Sequence, residues 1–354
     1  MLLVKDFKVA SLRAPLVTPF RIFTGQHDSL DNLLFKVELT NGVTGYGEAA
    51  VASHITGETL EGTAANLKAV GAALVGEEIS DYVTLLSGLR ERLEGNHAAL
   101  AAVEMAVLDA LTRSLKIPLW SLFGAAPVKL TSDITIVIGS LAEAAGAAKT
   151  YYKQGFRTFK VKVGKDKALD VERVLAVHSA APKAMILLDA NQAFNADEML
   201  RFLKVIRGKG VCPGLLEQPV PKADIDGLRK LTRLARVPVC ADESAGSLAS
   251  VVRLLNAGAV NAINVKLMKS GILESAEIAR FARAKGVKLM IGAMMESSLA
   301  ITAAAHMAAG LGCFEFVDLD TTFFIKGPLS RAPYLDGKGR FDLNRASRGI
   351  GMVV

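Results

Sequence analysis

A closed, eight-stranded parallel β/α barrel preceded by a smaller α+β domain is the fold this sequence predicts, and three observations carry it. From about residue 132 onward, short apolar runs alternate with helical patterns of roughly 10 to 15 residues. Eight such runs follow one another without a Gly-rich phosphate turn after the early ones. Three consecutive runs end on a carboxylate: Met185-Ile-Leu-Leu-Asp189, Gly214-Leu-Leu-Glu217 and Val237-Pro-Val-Cys-Ala-Asp242. An open doubly wound sheet would also alternate, but Gly208-Lys-Gly210 lacks the frame of its dinucleotide turn.

The first 125 residues read differently. Segments 2–13 and 33–38 alternate like antiparallel strands, and Asn41-Gly42 supplies a hairpin turn before a third strand at 43–48. Helical periodicity follows at 58–74, 81–93 and 97–115, the last rich in Ala, Leu, Val and Met. Strands followed by helices indicate a separate α+β unit. The barrel is expected over 126–326, with strands near 133–138, 158–163, 185–189, 214–217, 238–242, 261–266, 288–292 and 314–318. The tail, 327–354, is expected to fold back onto the first domain.

Composition narrows the function classes. With 354 residues, 51% of them hydrophobic, the chain can fill a large core and disorder is excluded. No apolar run reaches the roughly 18 residues of a membrane span, and Met1-Leu-Leu-Val-Lys5 leads into alternating Phe7, Val9 and Leu12 instead of a signal sequence. The three cysteines, Cys212, Cys240 and Cys313, have no close spacing, each lies near an apolar segment, and they fit buried thiols in a reducing, cytoplasmic setting. The net charge of +7 is spread along the chain without a basic block, so neither nucleic acid nor a membrane surface is an expected partner. A homo-oligomer is compatible with the sequence.

In a barrel of this kind the C-terminal strand ends form the active face, which brings Asp189, Glu217 and Asp242 onto neighbouring strands. A single acid at such a place is commonly a helix cap; three in register point to one hard cation, and all-oxygen ligation with few carboxylates suits Mg²⁺ better than Ca²⁺. Strand two reads Thr158-Phe-Lys160-Val-Lys162-Val, so its period of two puts Lys160 and Lys162 on one face and Phe159, Val161 and Val163 on the other. The apolar set belongs under the helices, which turns both lysines inward. At a Cα separation of about 7 Å and an effective dielectric of about 20, their repulsion is roughly 2 kcal/mol, enough to lower a lysine pKa toward that of a usable base.

Strand six ends on Lys266, and it stands four strands from strand two, diametrically across the barrel. Lys162 and Lys266 then face each other across a substrate held by the cation. Two bases on opposite faces of one carbon permit a 1,1-proton transfer: one removes the α-proton, the other returns a proton to the opposite face, and the stereocentre inverts. A substrate carboxylate on the cation becomes an enediolate on deprotonation, with Lys160 and Mg²⁺ offsetting its charge.

Lys160-Val-Lys162, Asp189-Ala-Asn191, Glu217-Gln-Pro219, Asp242-Glu-Ser244 and Val265-Lys266-Leu together resemble, in order and spacing, the muconate-lactonizing subgroup of the enolase superfamily. The resemblance covers nearly the whole chain. It implies a modified TIM-type barrel, (β/α)7β, under an α+β capping domain, with Lys162 and Lys266 as the acid/base pair and the three acids on Mg²⁺. Asp318-Leu-Asp320 at the end of strand eight resembles the Asp-x-Asp with which dipeptide epimerases, such as the L-Ala-D/L-Glu epimerases, hold a substrate α-ammonium group. Thr135 on strand one and Glu296 in Gly292-Ala-Met-Met295-Glu296-Ser297 match further substrate-side positions of that group. The implied activity is epimerisation of the C-terminal residue of a dipeptide. Ile272 replaces the second glycine of the usual Lys-x-Gly-Gly, which is expected to affect the helix start more than the chemistry.

Side-chain preference in that family is set by a capping-domain loop, here Pro19-Phe-Arg21-Ile-Phe23-Thr-Gly25-Gln-His27. Gly25 falls where epimerases acting on Ala-Glu commonly carry arginine, so an uncharged second residue is expected, with Arg21, His54 and Met295 as neighbours to place. Other lysine-pair enzymes, o-succinylbenzoate synthase or an N-acylamino acid racemase, are the alternatives, and neither needs Asp318 and Asp320. A barrel kept only as a binding protein has no reason to retain three acids and two inward lysines.

Overall fold

The structure is a computed structural model; it describes residues 1–352 apart from Thr24, and the side chain of His54 also lies outside the described residues. The chain opens with an antiparallel sheet of β1 (Val4–Ile22), β2 (Gly25–Leu39) and β3 (Thr44–Ala49) in the order β1-β2-β3. The first two strands run further than their alternation predicts. Of the stretch 19–27, expected as a loop, the described residues 19–23 and 25–27 belong to the end of a long hairpin in which Phe20 pairs with His27, Arg21 with Gln26 and Ile22 with Gly25. The register shifts between Pro15 and Phe20, where Pro15 and Pro19 have no N–H to offer a ladder. That interruption hid the continuation of the strand.

Four helices follow: α1 (Ser53–Thr56), α2 (Leu60–Leu74), α3 (Tyr82–Arg92) and α4 (His97–Ser114). Nearly all of α4 is buried, because it lies between the sheet and the second domain. It reaches β3 at backbone distance. A Cβ on Gly45 would stand 2.1 Å from the Ala106 carbonyl oxygen, and one on Gly47 1.9 Å from that of Ala102, so side chains there would push the helix away.

After β4 (Leu130–Thr131) come eight parallel strands: β5 (Ile134–Ile136), β6 (Thr158–Lys162), β7 (Met185–Asp189), β8 (Leu215–Glu217), β9 (Val239–Ala241), β10 (Ala262–Val265), β11 (Lys288–Ile291) and β12 (Phe316–Val317). They hydrogen-bond in sequence order, and the outermost two meet where Asp133 N–H donates to the Val317 carbonyl at 2.7 Å. Helices α5 (Leu141–Gln154), α6 (Lys167–Ala180), α7 (Ala196–Gly208), α8 (Ile225–Leu234), α9 (Leu248–Asn256), α10 (Leu267–Ala284) and α11 (Ser298–Leu311) follow the first seven strands; a 3-10 turn, Thr321–Phe323, follows β12. This is a (β/α)7β barrel.

Two apolar layers hold it. Phe159, Val161 and Val163 join the main core between strands and helices. Inside the barrel, Leu187, Leu215, Cys240, Ala262 and Met290 form a plug that closes the floor beneath the C-terminal strand ends. The final residues touch both domains: β13 (Arg340–Phe341) pairs with β4, while Gly349 N–H donates to the Ile117 carbonyl and Ile350 N–H to Asp109 Oδ1. Cys212, Cys240 and Cys313 are all free thiols, but only Cys240 has the burial expected of the three: Cys313 is half-buried and Cys212 is exposed. Among the described residues no helix is long and apolar enough to cross a membrane.

Candidate active site

Strand register decides which side chains meet. Lys162 pairs with Asp189, Asp189 with Glu217 and Glu217 with Cys240, so three adjacent strands deliver their last residues to one edge of the barrel. Asp242 follows β9 by one residue and Lys266 follows β10 by one; all five polar groups are buried. Lys162 Nζ donates to Asp189 Oδ2 at 2.6 Å, Lys266 Nζ to Asp242 Oδ2 at 2.8 Å, and Lys269 Nζ to Asp242 Oδ1 at 2.7 Å. Glu217 Oε1 accepts from the Asn264 amide at 2.7 Å, and its Oε2 has no hydrogen-bond partner among the described residues. An orphaned, buried carboxylate oxygen between two other carboxylates is a donor set that fits a hard cation.

The carboxylates that converge most tightly are others. Asp133, Asp318 and Asp320 each offer an oxygen within 4.8 Å of the other two. Asp318 Oδ2 accepts from Lys160, Asp320 Oδ2 accepts from Thr135 N–H at 2.6 Å, and neither oxygen of Asp133 has a hydrogen-bond partner among the described residues.

At Lys160 these pairings overturn the expectation that lysine–lysine repulsion lowers the pKa. Burial opposes the charge on Lys160, but Asp318, Glu217, Asp189 and Asp133 hold its pKa well above the ordinary value. The same contest ends the same way at Lys266, where Asp242 and Glu217 outweigh burial. Carboxylates closer than the second lysine dominate the local field. Burial works against Asp242, yet Lys266 and Lys269 keep its carboxyl far below the usual range, whereas burial and then Asp189 push Glu217 up to about 8. Burial and Asp318 push Asp320 up to about 6.

Lys160, Lys162, Lys266, Asp318 and Asp320 open into a cavity of about 190 Å³ between the barrel mouth and the first domain, while Asp189, Glu217 and Asp242 are not among its lining residues. Its polar end is lined by Thr135, Lys160, Lys162, Lys266, Asp318 and Asp320. Its other end is lined by Phe20, Ile22, Val51, Ile55 and Met295, with Asp31 there engaged by Arg13 Nε at 2.8 Å. Arg21 is turned away toward Gln26 and Glu143 and does not line the cavity. Glu296 is also outside the lining: Oε1 accepts from Met294 N–H at 2.8 Å, folding the side chain into its own turn. His54 lies outside the described residues as far as its side chain is concerned.

Residues 5–124 match the family model "Mandelate racemase / muconate lactonizing enzyme, N-terminal domain", and residues 142–354 match "Enolase C-terminal domain-like". The chain belongs to the mandelate racemase/muconate lactonizing enzyme family. Within the family it is 54% identical to the hydrophobic dipeptide epimerase of Citrifermentans bemidjiense, over 99% of this chain and 97% of that one. Its fold superposes on a family protein from Herpetosiphon aurantiacus with a TM-score of 0.94 at 35% identity, covering 99% and 98% of the two chains. The dipeptide epimerase of Enterococcus faecalis, solved as a complex with Mg and the dipeptide L-Leu-L-Tyr, superposes with a TM-score of 0.91 at 31% identity over 99% of both chains.

Several residues of this family site carry no strong sequence signal. Asn264 and Asp133 were each reachable by strand alternation, since they lie two residues before Lys266 and Thr135. Gln218 was not: at φ 31°, its Oε1 accepts from Asp242 N–H at 2.9 Å and Ser244 N–H at 3.1 Å, fixing the loop that carries Asp242.

Proposed function

We propose that this enzyme is a Mg²⁺-dependent dipeptide epimerase that inverts the α-carbon of the C-terminal residue by two-base 1,1-proton transfer. The observation that carries the reading is the pair Lys162 and Lys266. They come from β6 and β10, four strands apart around the barrel, and both line one cavity. Each can exchange a proton with one face of an α-carbon held between them.

Asp189, Glu217 and Asp242 would hold the cation, which supplies positive charge against the substrate carboxylate and acidifies the α-proton. Its charge would also take up the carboxylates that now pair with Lys162 and Lys266. Lys160, between Asp318 and Asp189, can turn to the substrate carboxylate. Asp318 and Asp320 present their carboxylates where a free α-ammonium group completes the charge balance, and Thr135 Oγ1, buried and without a hydrogen-bond partner among the described residues, can contact the peptide. An N-acylated substrate has no ammonium to offer, which favours a dipeptide.

The side chain of the inverted residue then faces Phe20, Ile22, Ile55 and Met295. That lining favours an apolar residue, in keeping with the similarity to the hydrophobic dipeptide epimerase. Three free thiols support a cytoplasmic location. The test is loss of the α-proton signal and growth of the epimer when L-Ala-L-Leu is incubated with enzyme and Mg²⁺ in D₂O. Turnover of N-acylamino acids with no exchange of dipeptides would overturn the assignment.

A further inference from the structure

The helix that follows Lys266 is broken. Gly271, at φ 74° and ψ −178°, interrupts α10, so a second helical segment starts at Ile272 with its own unsatisfied N–H groups. They are met from the other domain. Glu104 of α4, fully buried, accepts from Ile272 N–H and from Leu273 N–H (2.9 Å) through one oxygen, Oε2. Its other oxygen faces Arg90 at 3.7 Å, and Arg90 donates to the Ser270 carbonyl and to Glu274. A Cβ on Gly271 would stand 2.6 Å from Glu104 Oε2, so both the positive φ and the close approach require glycine.

The other side of the same turn is tied to the site. Lys269 N–H donates to the Lys266 carbonyl at 3.0 Å, and Lys269 Nζ donates to the Asp242 carbonyl (2.7 Å), Asp242 Oδ1 (2.7 Å) and the Asn264 carbonyl (2.8 Å). Segment 266–271 is thus stretched between a carboxylate of the first domain and the end of β9. Among the described residues Lys162 has no such support: it ends β6, and its ammonium donates to two barrel residues, Asp189 and Asn191.

We infer that Glu104 is a positioning residue for Lys266, so that the capping domain sets the placement of the base on one face of the substrate and leaves the base on the other face alone. The inference rests on the two-base reading above. It also assigns a purpose to the departure at Ile272: the turn needs one glycine, at 271, and a backbone N–H at 272.

The test compares initial rates of α-proton loss from L-Ala-L-Leu and L-Ala-D-Leu in D₂O with Mg²⁺. Lys266→Ala first identifies which epimer depends on Lys266. Glu104→Gln keeps the volume but removes the charge, so the oxygen that accepts both N–H groups becomes a weaker, neutral acceptor and an NH₂ takes the place of the oxygen that faces Arg90. We expect it to slow exchange of the Lys266-dependent epimer by about 10- to 100-fold, the cost of sub-ångström to ångström misplacement, while the other epimer exchanges at close to its normal rate. Equal slowing of both epimers, or slowing of neither, overturns the inference. Arg90→Gln, on the partly exposed end of the same network, keeps the test open if Glu104→Gln folds poorly: it should give the same skew at smaller size, and a symmetric response again counts against it. A wild-type enzyme that exchanges neither epimer would instead defeat the epimerase reading itself.

Discussion

Gly25→Arg should move the substrate preference toward acidic side chains. Gly25 pairs across the hairpin with Ile22, and cross-strand partners project to the same face. Ile22 lines the cavity, so an arginine at 25 is aimed at the same apolar end. No atom lies within 4 Å of a Cβ built at Gly25, and its backbone is outside the left-handed region, so the side chain enters without strain. At about 4 Å and an effective dielectric of about 20, a guanidinium and a carboxylate attract by about 4 kcal/mol before desolvation. The hairpin tip is exposed, and solvent screening with side-chain ordering leaves a net gain of about 1 to 2 kcal/mol. That corresponds to roughly 5- to 30-fold. The assay is the ratio of kcat/KM for L-Ala-L-Glu to that for L-Ala-L-Leu, in wild type and variant, at low and high salt. An unchanged ratio in a folded variant, or a gain indifferent to salt, would refute the placement of the specificity end.

Three further outcomes are expected. Lys162→Ala and Lys266→Ala should each lower the epimerisation rate by at least about 10² to 10⁴, with each variant still exchanging one epimer; NMR in D₂O checks this, and two variants that epimerise normally would end the two-base mechanism. Asp320→Asn should lower kcat/KM for dipeptides by about 10- to 100-fold. Because only the ionised carboxyl attracts an ammonium, and Asp320 is pushed up to about 6, dipeptide KM in the wild type should rise as pH falls through about 6 and stay level above it. That acid limb should vanish in Asp320→Asn; a variant with unaltered kinetics would favour N-acylamino acid racemisation. Glu48→Ala should lower stability by about 3 to 5 kcal/mol, read from the urea midpoint. Glu48, on β3, accepts from Ser297 N–H (2.8 Å), Ala300 N–H (3.2 Å) and the Asn32 amide (2.7 Å), and all three donors would be left buried.

Much of the barrel was legible because its signals are local. A buried parallel strand is a short apolar run, and each predicted run overlaps one of the strands β5 to β12. Alternation within one strand separated Lys160 and Lys162 from Phe159, Val161 and Val163. The hairpin tip was less legible, since Pro15 and Pro19 break the strand pattern while cross-strand pairing resumes beyond them. Charge balance was misjudged for a related reason. The lysine pair could be seen in one strand, but the carboxylates that outweigh repulsion at Lys160 come from β7, β8 and the residues beside β5 and β12.

By itself, then, the sequence determined the succession of eight βα units and the list of acids and lysines at their C-terminal ends, because period and strand length are properties of a few consecutive residues. Only the tertiary structure decided which charges meet. It set Lys160 against Asp318, and it brought Glu48 and Glu104 from the first domain onto the N–H groups after the seventh and sixth strands. Buried hydrogen bonds and ion pairs act over about 3 Å, and residues 168 and 249 positions apart reach that distance only after the barrel has closed and docked on its cap.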